Sequence, residues 1–330
     1  MKKPYKFSRE VLPGVFKITL PLPGRKPGPV NVYLFKSGAV TLIDTGTLQS
    51  AAVLEKALAE HRLSFSDIKK IIVTHGHPEH YGAAKKIVSA GGAKVMAHRE
   101  DRRSIEEGMD VSTQSYQDFL MLVGIPLHVR AMLKMLFVVF RRMAQNCKVD
   151  WTVQEGDRIP LGHYEATIIE APGHSKGSIC VFLEKEKILF CGDTMIEHIT
   201  PNAFVMLDEG EKLPVRLSQR EFYRSLEKIR TLSPSVAYSA HGKDIHDVSG
   251  IIAGYQSAFA QRKASVLSIV RSGEKSVYRT ARRLFPEIGG LRLPLEIFLS
   301  ISETYTTMEV LQEEGKIKMN IRGGRLEVTC

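Results

Sequence analysis

From Ile71 to His80 the chain reads Ile-Ile-Val-Thr-His-Gly-His-Pro-Glu-His, which puts His75, His77, His80 and the Glu79 carboxylate within six residues. The run at 68–73 before it reads as a buried strand, and residues 81–88 after it as a helix. A strand that ends in a ligand-rich loop suits a metal site, because the backbone on either side is fixed. One histidine alone says little. Three at this spacing beside an acid repel and desolvate one another unless a cation holds them; the bland alternative is a solvated, histidine-rich loop.

The rest of the chain is organised to meet that loop. Residues 11–36 read as strands broken by a Pro/Gly loop at 21–29, and residues 30–35 and 39–43 as two strands joined at Ser37-Gly38. The second of these ends in Asp44-Thr45-Gly46, a carboxylate at a strand terminus. A helix over 48–61 follows, with Ala52, Leu54, Leu58 and Ala59 on its inner side, and after the histidine loop a strand at 94–97 ends on His98. Strands alternating with helices predict an α/β core. Residues 99–149 break the rhythm: from Phe119 to Val149 there is no acid, and residues 131–143 are strongly apolar with Lys134, Arg141 and Arg142 as polar marks. This segment reads as a helical insertion. It either packs plainly on the domain, covers an apolar substrate or touches a membrane surface. Strand character then returns, and the later strands end near His174, Asp193 and His241.

Asp44, His75, His77, Glu79, His80, His174, Asp193 and His241 thus all fall at strand ends or loop starts. Five imidazoles and two or three carboxylates are too many for one tetrahedral zinc but fill two adjacent metal sites. An aspartate can bridge two such ions, and so can a water, which between cations loses a proton near neutral pH and becomes a strong nucleophile.

The ordered set Thr-Leu-Ile-Asp44-Thr-Gly, Thr-His75-Gly-His77-Pro-Glu79-His80, Ala-Pro-Gly-His174-Ser, Phe-Cys-Gly-Asp193 and Ala-His241-Gly closely resembles the metallo-β-lactamase superfamily over roughly residues 12 to 250. The resemblance implies a four-layered αββα sandwich with a dinuclear site at one edge of its two sheets. It implies that His75, His77 and His174 hold the first metal, that Glu79, His80 and His241 hold the second, and that Asp193 bridges them. It casts Asp44 as the acid behind the ligands that orients them. Asp44, Glu79 and Asp193 are the carboxylates on which catalysis would depend. Position 79 is Glu where the family usually has Asp, and the extra methylene moves the carboxylate about one bond outward, enough to alter the second site. Two Zn2+ ions are expected, with Fe or Mn as alternatives. Cys191, beside Asp193, is expected to point into the core.

Residues 251–330 read as a second unit of helices closed by a hairpin around Arg322-Gly323-Gly324. The pattern resembles the winged-helix domain appended to many superfamily hydrolases. Its twelve Lys/Arg against eight Asp/Glu give a net of +4, modest for a nucleic-acid binder. The resulting division is a catalytic domain at 1–250, with the insertion at about 99–149, and the winged-helix-like unit at 251–330.

Composition narrows the compartment. The chain has 330 residues, a net charge of +10 and four cysteines without paired spacing, which suits a reducing, cytoplasmic setting. Charged residues and prolines interrupt the first residues where a signal peptide needs an apolar core, and no apolar run is long enough to span a bilayer. The expectation is a metal-dependent hydrolase of an ester, thioester or lactone with an apolar acyl part, acting on a small molecule, with a homodimer left open. The alternatives are an endoribonuclease whose winged helix holds RNA, a catalytically impaired binding protein, and an iron-dependent dioxygenase.

Overall fold

The computed structural model describes residues 7–22, 27–108, 113–287 and 294–330. Strands β1 (Ser8–Leu12), β2 (Val15–Leu20), β3 (Val30–Phe35), β4 (Thr41–Ile43), β5 (Lys70–Ile72), β6 (Lys94–His98) and β7 (Trp151–Val153) form a seven-stranded sheet in chain order. The first four strands pair antiparallel, and β4 through β7 pair parallel. The change follows from the connections, since a parallel neighbour needs a crossover. Helix α1 (Ala51–Glu60) supplies the first, and α2 (Pro78–Tyr81) with α3 (Ala84–Gly91) the second. The third runs through α4 (Arg102–Glu106), α5 (Gln114–Leu122) and α6 (Leu127–Arg141).

The second sheet contains β8 (Arg158–Leu161), β9 (Tyr164–Glu170), β10 (Ile179–Leu183), β11 (Ile188–Gly192) and β12 (Val236–Ser239), in the order β12-β11-β10-β9-β8. Helix α7 (Ser218–Leu232) crosses from β11 to its parallel neighbour β12. Helices α8 (Val248–Arg271), α9 (Val277–Leu284) and α10 (Pro294–Glu313) follow, then the hairpin β13 (Lys318–Arg322) and β14 (Arg325–Thr329).

The central strands of both sheets, such as β3, β10 and β11, are buried on both faces, and the two-residue period of a strand sorts their side chains into layers. On β3, Val30, Val32 and Leu34 join the core under α1 and α3, while Tyr33 and Phe35 point into the core between the sheets. On β11, Ile188 and Phe190 face the other sheet, and Leu189 and Cys191 face α7 and α8 through Phe222, Leu226 and Ile252. Helix, sheet, sheet and helix are thus stacked in four layers, the αββα sandwich that the motif order implied. Cys191 belongs to the helix-facing core.

Two local departures have physical causes. The helix expected after the histidine loop is split into α2 and α3 at Gly82. A Cβ there would lie 2.5 Å from the Met143 carbonyl and 2.8 Å from the Leu48 nitrogen, because the chain returning from α6 passes over this point. The expected boundary at residue 250 falls within α8. Phe119, Val129, Leu133 and Phe137 of α5 and α6 share one core with Val266 of α8, Ile297, Phe298 and Tyr305 of α10, and Leu326 and Val328 of β14. The inner face of the insertion is therefore occupied by the C-terminal helices, and its outer face is a separate surface.

Candidate metal centre

Every residue singled out by position arrives at one edge of the sandwich, where strands end. Asp44 follows β4, the His75–His80 loop follows β5, His174 lies between β9 and β10, Asp193 follows β11 and His241 follows β12. At the carboxyl ends of parallel strands the loops diverge and leave a crevice into which side chains can point. His75, His80, His174, Asp193 and His241 are buried, and His77 and Glu79 are partly exposed.

Three sets of potential ligand atoms converge, each within 4.8 Å of one another: His75, His77 and His174; His75, His80 and Asp193; and Glu79, His80 and His241. In the first set His75 Nε2 lies 2.9 Å from His77 Nδ1, and His174 Nε2 lies 3.2 Å from that same atom. Asp193 sits between the sets. Its Oδ2 is 3.6 Å from His174 Nε2 and 3.7 Å from His80 Nε2, and its Oδ1 is 3.5 Å from His241 Nε2.

The outer nitrogens explain why the inner ones point inward. His80 Nδ1 donates to Asp44 Oδ2 at 2.8 Å. His241 Nδ1 faces the Gly28 and Pro29 carbonyls at 3.1 and 3.0 Å, and His174 Nδ1 donates to the Asn202 carbonyl at 3.1 Å. His75 Nδ1 meets Thr74 Oγ1 at 3.2 Å, and that hydroxyl donates to Asp44. A proton held on Nδ1 leaves the Nε2 lone pair free, which is how backbone and carboxylate partners orient metal-binding imidazoles. Four atoms of this cluster are buried without a hydrogen-bond partner: Glu79 Oε2, His80 Nε2, Asp193 Oδ1 and His241 Nε2. Buried polar atoms are rarely left orphaned. Here Glu79, His80 and His241 form one potential ligand group, Asp193 Oδ1 lies 3.5 Å from His241 Nε2, and a divalent cation is a partner that such orphaned atoms could share.

The electrostatics agree. Burial, reinforced by the neighbouring imidazoles, holds His75 and His77 well below the ordinary histidine range, and burial also lowers His174, so these three are neutral and able to ligate. Burial alone would lower His80 too, but the Asp44 and Asp193 carboxylates on either side hold it well above its ordinary value. Burial would raise Asp193, yet His241 and His80 keep it well below the usual carboxylate range. Positive charge is thus stabilised at the centre of the cluster. The donors are nitrogen and oxygen without thiolate, a set suited to zinc, iron or manganese.

Residues that position alone did not reveal hold the loops together. Asp101 is buried; its Oδ2 accepts from the Gly76 nitrogen at 2.8 Å and from Ser175 Oγ at 2.6 Å, and its Oδ1 from the Gly177 nitrogen at 3.1 Å. One carboxylate therefore ties the His75–His77 turn to the His174 turn. A Cβ at Gly76 would lie 2.8 Å from Ser104 and 3.3 Å from Asp101, so the turn fits only with glycine. Asn31 Nδ2 donates to the Ser239 and Gly242 carbonyls at 3.1 and 3.2 Å, anchoring the His241 turn to the other sheet. Asp101 carried the same signal as Asp44, an acid just past a strand end, but the surrounding run of charges masked it. Asn31 carried no such signal. His98, also at a strand end, pairs instead with Glu170 at 2.9 Å. Phe204 packs at 5.1 Å from both the His77 and the His174 rings, and Phe298 of α10 lies 6.5 Å beyond it.

An αββα sandwich with these side chains gathered at its strand ends has the two-sheet architecture and a candidate metal centre at one edge. Residues 25–241 match the family described as the metallo-beta-lactamase superfamily, and the chain belongs to it. A probable metallo-hydrolase of Bacillus subtilis, YqjP, is 28% identical over 88% of this chain and 90% of its own length. An atrochrysone carboxyl ACP thioesterase of Emericella nidulans is 24% identical over 89% of this chain and 78% of its own. Among solved structures, a metallo-beta-lactamase family protein of Thermus thermophilus superposes with a TM-score of 0.80 at 25% identity, covering 97% of this chain and 99% of that one.

Proposed function

We propose that the protein is a dinuclear metal-dependent hydrolase of a thioester or ester with an apolar acyl part. The observation that carries the hydrolase reading is the convergence of two three-residue ligand sets on Asp193. In this reading His75, His77 and His174 hold one ion, Glu79, His80 and His241 the other, and Asp193 lies between them. When bound, the ions supply Lewis acidity and make a water acidic enough to act as nucleophile near neutral pH. Asp44 fixes the His80 tautomer, and Asp101 keeps the two turns of the first set at their mutual distance.

The acyl preference is supported by the aromatic wall. Phe204, partly buried, lines the His77 and His174 side of the cluster, and Phe298 and Phe137 back it from within the core shared by the insertion and the C-terminal helices. The match to the fungal thioesterase covers 89% of this chain, which fits the same reading. Residues 251–330 are read as a winged-helix-like unit, since helices are followed by a hairpin, and α10 would close the acyl side through Phe298.

The test is a panel of thioesters and esters of increasing acyl length, assayed with the metal-loaded protein and with RNA as counter-substrate. Each buried methylene contributes about 0.8 kcal/mol, so kcat/KM should rise with chain length until the wall is covered. Phe204→Ala should flatten that dependence. Flat behaviour together with salt-sensitive RNA cleavage would transfer the assignment to phosphodiester chemistry.

A further inference from the structure

Helix α6 is apolar on two opposite sides. Val129, Leu133 and Phe137 are buried against the C-terminal helices. Opposite them, Leu127, Ala131, Met135 and Val138 recur at spacings of four, four and three, which sets them along one line of an α-helix, with Met132 and Val139 beside it. These are exposed: Leu127 by 73%, Met135 by 66%, Val139 by 54% and Val138 by 51%. Among the described residues, six of the nine large hydrophobic side chains that are exposed lie between Met121 and Val139. Scattered exposed apolar residues need no explanation, but a concentrated stripe marks an interaction surface.

Charge decides what fits the stripe. From Phe119 to Val149 there are five Lys/Arg and no Asp or Glu. Lys134 and Arg141 lie along one flank of the stripe, and Arg142 closes its end. Glu107, whose backbone carbonyl meets Arg141, has its carboxylate engaged by Arg103. A second copy of the chain laid on this face would bring cations against cations. A polar protein partner would leave the methionines and valines unsatisfied. An anionic lipid surface satisfies both components, since acyl chains receive the apolar stripe while headgroups meet the cations, whose long stems reach outward. Methionine adapts readily to such an irregular surface.

We propose that the outward face of α6 docks on an anionic lipid bilayer, lying in its interface. No helix among the described residues is long and apolar enough to cross a membrane, so the contact is a surface one. The docking requires neither metal nor hydrolysis.

Cosedimentation of the full chain with phosphatidylcholine vesicles, with and without about 30% phosphatidylglycerol, tests it. Binding should be at least about tenfold stronger on the anionic vesicles and should weaken as salt rises. Met135→Glu with Val138→Glu should reduce the anionic partitioning about tenfold or more, and Lys134→Glu with Arg142→Glu should remove the preference for anionic lipid. Both pairs are exposed, so circular dichroism should match that of the parent protein. Equal or absent binding to the two vesicle types overturns the proposal, as does binding that survives the Met135 and Val138 changes. A dimer in analytical ultracentrifugation that the same changes dissociate would also overturn it, assigning the face to a second copy.

Discussion

His80 donates its Nδ1 proton to Asp44 across 2.8 Å, and the same carboxylate accepts from the Thr74 nitrogen and hydroxyl at 2.8 Å each. Asp44 does this from a left-handed backbone, with φ of +60°, a region that Asn tolerates and most side chains do not. Asp44→Asn should therefore keep the fold while removing the charge that holds the His80 proton. Loss of such an outer partner weakens metal binding by about 10–100-fold. Zinc competition titration would read this; affinity equal to that of the parent would show that His80 is oriented by packing alone. Asp44→Ala should add about 1–2 kcal/mol of backbone strain to the same loss.

Glu79 bears on the metal count. Its Oε2 is buried without a hydrogen-bond partner beside His80 and His241. Glu79→Ala should lower the bound metal from about two equivalents toward one, and Glu79→Asp should alter metal selectivity with a smaller loss. Elemental analysis after dialysis measures both. Two variants with unchanged stoichiometry and selectivity would make Glu79 a spectator.

Asp101 should matter without touching metal. Asp101→Ala leaves two buried backbone N–H groups without their acceptor and leaves the Ser175 hydroxyl with Ser178 Oγ alone, at about 2–4 kcal/mol. Denaturant midpoints would show this, and the His75, His77 and His174 set should bind metal more weakly because its two turns are no longer tied. A stability change under about 0.5 kcal/mol would mean that water replaces the carboxylate fully.

Glu309 of α10 predicts a pH effect remote from the site. Burial raises its carboxyl from 4.5 to about 9, even though a hydrogen bond from Tyr305 opposes the shift. Below about pH 4.5 the group is protonated in the folded and unfolded chains alike. Between there and about pH 9 only the unfolded chain ionises, so stability falls as pH rises, by on the order of 3 kcal/mol at pH 7. Glu309→Gln should flatten that slope and raise the melting temperature at pH 8. An unchanged pH profile in calorimetry would show that Glu309 is ionised in the folded protein.

What the sequence determined by itself was the local chemistry. The β5–loop–α2 stretch, the acids after β4 and β11 and the histidines after β9 and β12 were each legible, because a strand end and its ligands lie within a few residues of one another. The alternation of strands and helices gave an α/β core, and the four layers were what the resemblance of the ordered motifs to the superfamily implied. Tertiary structure alone decided how those pieces meet. It brought Asp101 against Gly76 and Gly177, 25 and 76 residues away, and set Asn31 against the Ser239 carbonyl, 208 residues away. It also decided which side of α6 is core, since that helix is apolar on both sides and periodicity offers no choice between them. Leu133 and Phe137, within the apolar stretch that could have covered a substrate, are packed in the core with Phe298 and its neighbours. The physical reason is the same in each case: capping, turns and strand period act over a handful of residues, whereas hydrogen bonds between loops and packing between helices depend on how distant segments are brought together.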